Sequence, residues 1–293
     1  MMTEHNRITD PEEIRRLIAT HPRWWHEIEF APGIISPGDD SNRKKLPVLE
    51  ELGLPENLKG KRALDIGCSD GYFSFVLEER GADVVAMDFV PATHTGFDVA
   101  RTIFGSTVEY RLGNAYGLNP KDWGTFDVVF FLGVLYHLRK PQAALDAIRS
   151  VMKTGAQLFV ATFLIDEHVV LPDGSVTTLE KLNPVLKEIP LWQAYPGGQL
   201  NGDFTNCFAP NMRALHVALE ESGFQVEASM ELPGGGFARA TAIDNRIAEK
   251  YRALDTRIHE SPFDPSVPYY LDEEGAEHTL TGRRPDNRSD GEE

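Results

Sequence analysis

The run Arg62-Ala-Leu-Asp-Ile-Gly-Cys-Ser-Asp-Gly71, followed by Tyr72-Phe-Ser-Phe-Val-Leu77, constrains the fold more than any other stretch of the chain. An apolar strand from Ala63 to Ile66 leads straight into small residues at Gly67, Ser69 and Gly71 and then into an amphipathic helix. That is how a parallel α/β sheet brings backbone close to a nucleotide-like ligand. Glycine turns also join strands to helices for packing alone, so spacing has to decide. The next apolar run, Val84-Val-Ala-Met87, ends in Asp88, where a second parallel strand would offer a carboxylate to both hydroxyls of a ribose.

The rhythm continues along the chain. Strands are expected at 62–66, 83–87, 108–112, 126–132, 156–163, 224–230 and 237–242, and helices at 70–80, 93–104, 141–152 and 210–222. Gly81, Gly105 and Gly223 supply stops; Pro141 and Pro210 supply starts. Phe126-Asp-Val-Val-Phe-Phe-Leu132 is apolar almost throughout, as a central strand buried on both faces should be. The fold class is therefore α/β, Rossmann-like, with a seven-stranded, mostly parallel sheet.

Residues 1–57 precede this core. Thr9-Asp10-Pro11-Glu12-Glu13 opens a short amphipathic helix, with Ile14, Leu17 and Ile18 at helical spacing. Trp24, Trp25 and His26 then form either a lid whose rings enclose a ligand or a flap glued to the sheet edge. Arg43, Lys44 and Lys45 read as a solvated helix face. Between Phe163 and Phe208 the rhythm breaks, and 164–209 reads as an insertion after the fifth strand that covers the acceptor. The core runs over 58–245, and 246–293 is expected to hold a helical segment and an acidic tail whose last dozen residues are disordered.

Charge narrows the function. A formal net charge of −16 argues against nucleic acid or an acidic membrane surface as the main partner. Two cysteines, Cys68 and Cys207, make neither a disulfide framework nor a zinc pattern. The amino terminus lacks a basic-then-apolar signal, and the longest apolar run falls far short of the ~20 residues of a membrane span, so a cytoplasmic protein is expected.

The turn lacks the fuller dinucleotide spacing and carries Asp65 before Gly67, which points away from NAD and toward S-adenosylmethionine. Leu64 to Gly71 resembles the first motif of class I methyltransferases, with Ser69 where a glycine is usual, and the resemblance extends from about Leu58 to Ile243. It implies that Asp65, Gly67, Ser69 and Gly71 serve the amino acid end of the cofactor and Asp88 its ribose. Asn114 and Ala115 would flank the adenine, with Asn departing from the usual Asp, and Leu132 and Gly133 would lie along the methionine arm.

Methyl transfer to a hydroxyl calls for a base beside the methyl group. His137, in Gly133-Val-Leu-Tyr-His137, leaves the central strand at that point, and Asp166, at the end of the next strand, is expected to orient it. Methyltransferases of sugar hydroxyls look similar here. Tyr136 either packs or reaches the acceptor or cofactor, and His26, Trp192, Tyr195 and Asn206 are further candidates for the acceptor wall, beside Trp24 and Trp25. Asp166-Glu-His168 could hold Mg²⁺, although two or three scattered ligands do not make a motif.

Gly133-Val-Leu-Tyr-His137, Phe208-Ala-Pro-Asn211 and Glu221-Ser-Gly-Phe224 also resemble the tRNA wobble-uridine carboxymethyltransferase branch and its relatives. That enzyme has a paired arginine where this chain has Leu138-Arg139, and a basic carboxy-terminal lobe where this chain turns acidic. The missing charges would have held a carboxylated cofactor and the tRNA backbone. The expectation is an O-methyltransferase of a small polar acceptor such as a saccharide or secondary metabolite. A tRNA-modifying enzyme and a non-catalytic cofactor-binding module remain alternatives, and a homodimer is left open.

Overall fold

The computed structural model describes residues 7–39, 41–233 and 235–244, together with the backbone of 269–271 and 277–279. In chain order the amino-terminal part comprises α1 (Pro11–Thr20), the strands β1 (Glu29–Ala31) and β2 (Ile34–Ile35), and α2 (Ser41–Glu51). The core follows as β3 (Arg62–Ile66), α3 (Tyr72–Glu79), β4 (Asp83–Asp88), α4 (Phe97–Phe104), β5 (Glu109–Leu112), α5 (Pro120–Trp123), β6 (Phe126–Leu132), α6 (Pro141–Ser150) and β7 (Met152–Thr162). The insertion carries β8 (Val169–Val170), β9 (Val176–Thr177), α7 (Leu179–Leu182), β10 (Trp192–Ala194) and β11 (Phe208–Pro210). Then come α8 (Met212–Glu221), β12 (Phe224–Leu232) and β13 (Gly235–Ala242).

One seven-stranded sheet has the order β12-β13-β7-β6-β3-β4-β5. Strands β7, β6, β3, β4 and β5 run parallel, while β13 pairs antiparallel with both β7 and β12. Chain order reverses direction across the sheet between β3 and β6, and a crevice opens at the carboxyl ends of strands flanking such a point. The turns after β3 and β6 therefore meet there.

Strand alternation sorts the core into two layers. Ala63, Val84, Ala86, Val128 and Phe130 face α3, α4 and the amino-terminal segment, while Leu64, Ile66, Val85, Val129 and Phe131 face α6 and α8. Ile14, Ile18, Trp24 and Phe30 belong to the first layer, so the amino-terminal segment is part of the main core. The insertion has a small core of its own in Ile165, Leu179, Tyr195, Leu200 and Ala209.

Several boundaries differ from those expected. Helix α3 starts at Tyr72 because Gly71, at φ +87°, sits in the left-handed region just before it. Gly155 does not open β7, which runs from Met152 and shifts register against β6 where the chain passes that glycine. Pro210 closes β11, and Asn211 caps α8 instead, its side chain accepting from the Ala214 N–H at 2.8 Å.

Asp70, fully buried, joins segments distant in sequence. Its Oδ2 accepts the Trp25 and His26 N–H groups and its Oδ1 accepts that of Gly96 at 2.7 Å. The amino-terminal flap, the glycine turn and the start of α4 share this one carboxylate.

The chain divides into two compact units, Met1–Ile243 and Asp244–Glu293. In the second, β14 (Tyr269–Leu271) pairs antiparallel with β15 (Glu277–Thr279). The helical segment and disordered terminal dozen expected there lie outside the described residues. No helix among the described residues is long and apolar enough to cross a membrane.

Asp70→Ala should leave three backbone N–H groups without their acceptor, at roughly 1–3 kcal/mol each. We expect a loss of about 3 kcal/mol or more in urea unfolding, with faster amide exchange at Trp25 and His26. An unchanged midpoint would mean that these groups find other acceptors.

Candidate active site

The turn after β3 is built to hold backbone in unusual conformations. Gly67, Ser69 and Gly71 have φ of +74°, +48° and +87°. A Cβ on Gly67 would stand 2.4 Å from Val134 Cγ2, so only glycine lets the turns after β3 and β6 approach this closely. The Gly67 and Cys68 N–H groups both donate to the Met87 carbonyl, and the Ser69 N–H donates to Asp88 Oδ2 at 2.9 Å. The end of β4 thus holds the turn in place.

Three carboxylates, Asp65 and Asp88 of the expected set together with Asp70, are buried here with different partners. Asp65 accepts from the Ser74 hydroxyl at 2.6 Å, and burial, reinforced by the charge of Asp88, pushes its pKa up to about 7. Asp88 accepts the Ser69 and Val90 N–H groups on separate oxygens, which leaves one lone pair on each for a pair of hydroxyls. Asp70 is spent on the flap. Asn114 is exposed and accepts from the Tyr116 N–H, capping a short turn, while Ala115 and Leu132 are buried.

At the end of β6, Gly133 has φ +80°, and two polar tips lie near it. The Tyr136 hydroxyl and the Lys45 ammonium lie 3.4 and 3.9 Å from the point where its Cβ would stand. Lys45 is held mostly out of solvent, which lowers its pKa, while Asp39 opposes that shift. It was expected on a solvated face; instead it shares the inward side of α2 with buried Asn42 and Leu49, at spacings of three and four residues. That spacing was the available signal.

His137 sits in the short turn Leu135–His137, half-buried, with its ring 4.3 Å from that of Tyr136. Burial lowers its pKa, against the opposing effects of Thr205 and Asp203, and burial pushes that of Tyr136 up to about 12. The insertion is fastened to this turn, because the Cys207 N–H donates to the Tyr136 carbonyl at 2.8 Å. The His137 Nδ1 lies 2.9 Å from Thr205 Oγ1.

This geometry corrects the expected pairing of His137 with Asp166. Asp166 is buried, and its Oδ2 accepts the Met212 N–H at 3.0 Å, at the start of α8, while its carbonyl accepts from Leu179. An ionised carboxylate at a helix start is well placed to cap it, so Asp166 ties the insertion to α8. Neither Thr205 nor its neighbour Asp203 carried a sequence signal toward His137. The Asp-x-Thr spacing marks only a local turn.

The expected acceptor wall is divided. Trp24 is buried, donates to the Ile18 carbonyl and packs edge-on against Phe30, and its ring fills the space beside Gly96. It belongs to the flap glued onto the core, not to a lid. Trp25 is 64% exposed. His26 is buried against Tyr72 and Phe73 with its Nδ1 unpartnered, and burial drives its pKa down to about 3, so the ring stays neutral. Tyr195 lies in the small core of the insertion and donates to the His168 carbonyl. Asn206 is buried and donates to the Leu200 carbonyl, whereas Trp192 is half-exposed on β10. Among the described residues no three His, Cys, Asp or Glu side chains converge as a metal site. The exposed rings of Phe89 and Phe204, next to Asp88 and Thr205, were not anticipated.

The groups present fit a nucleoside carrying an amino acid arm. A glycine turn that admits no Cβ, a carboxylate with two free lone pairs, a buried acid and an ammonium over Gly133 supply one feature for each part of such a ligand. A family model described as a methyltransferase domain matches residues 40–229. The chain is 33% identical over 154 residues to the ubiquinone biosynthesis O-methyltransferase of Pseudomonas fluorescens, covering 52% of this chain and 63% of that protein. The protein of the same name from Marinobacter nauticus is 33% identical over 161 residues, 54% of this chain and 64% of its own length. The matched region therefore spans just under two thirds of these relatives. The N-terminal domain of EvdMO1, crystallised in the presence of SAH and D-fucose, shares the fold with a TM-score of 0.55 at 20% identity, over 83% of this chain and 100% of that one.

Ser69 is a non-glycine residue in the left-handed region, a conformation that costs an L-residue roughly 1–2 kcal/mol. Ser69→Gly should raise stability by about 0.5–1 kcal/mol after glycine's own entropy cost, read as a higher Tm. A lower Tm would show that the hydroxymethyl group itself stabilises the turn.

Proposed function

The chain belongs to the methyltransferase-domain family, and we propose that it catalyses S-adenosylmethionine-dependent O-methylation of a small polar acceptor, with His137 as general base. The acceptor we favour is a saccharide or secondary metabolite hydroxyl. The observation that carries the reading is the placement of His137 at the exit of the central strand, four residues after Gly133, with one ring nitrogen engaged by Thr205. Oxygen as the accepting atom is supported by the relatives, which are named for ubiquinone biosynthesis O-methylation.

S-adenosylmethionine supplies, when bound, an electrophilic methyl group on a sulfonium whose departure leaves a neutral thioether. The protein's part is to hold the cofactor, position the acceptor and take its proton. The backbone of the turn at Gly67–Gly71 and the Asp65 carboxyl would hold the amino acid end, and the free lone pairs of Asp88 the ribose. Lys45, which sequence reasoning placed in solvent, would meet the cofactor carboxylate above Gly133, with the Tyr136 hydroxyl beside it. Tyr136 keeps its proton at neutral pH and so acts there as a hydrogen-bond donor. His137 stays largely neutral near pH 7 because burial favours the uncharged ring, as a base requires. The exposed rings of Trp25, Phe89 and Phe204, each adjacent to a site residue, would offer flat faces for an acceptor to stack on.

A tRNA-modifying role would be favoured by a basic groove built from Arg15, Arg16, Arg43, Lys44 and Lys45, and most of these cations are engaged elsewhere. Arg15, Arg16 and Arg43 are paired with Glu12, Glu13 and Glu27, and Lys45 turns inward.

Incubation with methyl-labelled S-adenosylmethionine and a size-fractionated cell extract should place label in small metabolites or glycans. Label in tRNA would overturn the acceptor class, and no label would favour a binding module. His137→Ala should lower turnover by about 10²–10⁴-fold while S-adenosylhomocysteine affinity stays the same. Undiminished turnover would remove His137 from the mechanism. Lys45→Met should weaken S-adenosylhomocysteine binding by about 10- to 100-fold in titration calorimetry, the loss of one charge-assisted hydrogen bond. Unchanged affinity would mean that the ammonium serves something else.

A further inference from the structure

We propose that Thr205 and Asp203 are positioning residues that hold the His137 imidazole in the tautomer protonated on Nδ1, leaving the Nε2 lone pair to take the acceptor proton. The proposal rests on the reading of His137 as base, and it concerns atoms outside the expected histidine–Asp166 pair.

The hydroxyl of Thr205 lies 2.9 Å from His137 Nδ1 and 2.7 Å from Asp203 Oδ1. A hydroxyl has one hydrogen to give and lone pairs to accept with. Asp203 is partly exposed, and the Thr205 hydroxyl and N–H, both on the same Oδ1, hold its pKa below the usual carboxylate range. An ionised carboxylate only accepts, so the Thr205 hydrogen goes to Asp203. The hydroxyl oxygen must then accept from His137, and Nδ1 carries the proton. The lone pair is left on Nε2.

The support is a self-bonded turn. The Asp203 N–H donates to the Leu200 carbonyl, the Asn206 N–H donates to the Asp203 carbonyl, and the Asn206 side-chain amide donates to the Leu200 carbonyl. The Cys207 N–H then fastens the turn to the Tyr136 carbonyl, one residue before His137. Base and support are therefore carried on two short turns bonded directly to each other. When Nε2 takes a proton, Nδ1–H keeps its acceptor, and the charge of Asp203 favours the imidazolium through one intervening hydroxyl.

The charged and titratable groups around the ring come from three elements. Asp203 faces it from the insertion and raises its pKa; Tyr136, neutral, lies beside it on its own turn; and Lys45 of α2 lies, like the Tyr136 hydroxyl, close to Gly133. At the end of β7, Phe163 packs on Tyr136 and brings no charge. Removing the charge of Asp203 should thus lower the pKa of His137. In Asp203→Asn the new amide can donate to Thr205, turning the hydroxyl hydrogen toward Nδ1 and selecting the opposite tautomer.

The test uses the full chain without substrate, labelled with ¹⁵N-histidine, with His137 identified by the signal lost in His137→Gln. Long-range ¹H–¹⁵N spectra should show Nδ1 protonated and Nε2 bare. Thr205→Val should shift the ring toward Nε2–H, and Thr205→Ser should keep the original pattern. An Nε2–H ring in the unmodified protein, or a ring unaltered by Thr205→Val, overturns the proposal. In turnover assays Thr205→Val and Asp203→Asn should each lower kcat about tenfold or more with the KM for the cofactor unchanged, and Thr205→Ser should restore it. The acid limb of the kcat profile should move to lower pH in Asp203→Asn, because the imidazolium has lost its anionic neighbour and more acid is needed to protonate the ring; an unmoved limb leaves Asp203 a structural residue only and overturns its positioning role. The base reading fails separately, if His137→Ala keeps full turnover, and the tautomer measurement needs no turnover at all.

Discussion

The absence of a side chain at position 67 is the constraint on which the rest of the site depends. Val134 occupies the space a Cβ would need, so the turns leaving β3 and β6 touch. One turn carries the groups suited to the cofactor, and the other carries Gly133, Tyr136 and His137. Were the two turns separated by even the width of a methyl group, the backbone cradle and the proposed base would no longer face one crevice. The left-handed backbone at Gly67 excludes larger residues a second time, on conformational grounds.

Segments remote in sequence complete this meeting point. Asp70 draws the amino-terminal flap onto the glycine turn through three backbone N–H groups. That flap leads into α2, from which Lys45 enters above Gly133. From the other side the insertion, steadied by its own small core, fastens to the His137 turn through Cys207. Amino-terminal segment and insertion therefore flank the crevice for different reasons: one shares the main core, and the other is held by backbone bonds to the β6 exit.

The aspartates illustrate how environment divides one side chain among roles. Asp65 is pushed up to about 7 by burial, Asp70 and Asp166 are spent on backbone donors, and Asp88 keeps lone pairs to spare. Asp203, partly exposed and held ionised by Thr205, is the one of these that bears on the His137 ring through a single hydroxyl. Proximity in sequence to the end of a strand pointed to Asp88 but not to the backbone bonds that engage Asp70 and Asp166.

The alternation of strands and helices, the central apolar strand and the small-residue turn were legible because they express short-range rules: side-chain period, glycine conformations and proline starts. Asp88 was legible for the same reason, since parallel strands end in register. Boundaries shifted by a few residues where a tertiary contact overrode the local signal, as at Gly155, where pairing with β6 carries β7 past a glycine. The sequence by itself determined the sheet, the crevice and the residues along its floor. Only the tertiary structure decided the walls: that Trp24 goes into the core, that Lys45 turns inward, and that His137 bonds to Thr205 while Asp166 caps α8. Floor residues belong to elements whose geometry is set by neighbours a few positions away, whereas wall residues are set by how a flap and an irregular insertion pack across the molecule, which no local periodicity encodes.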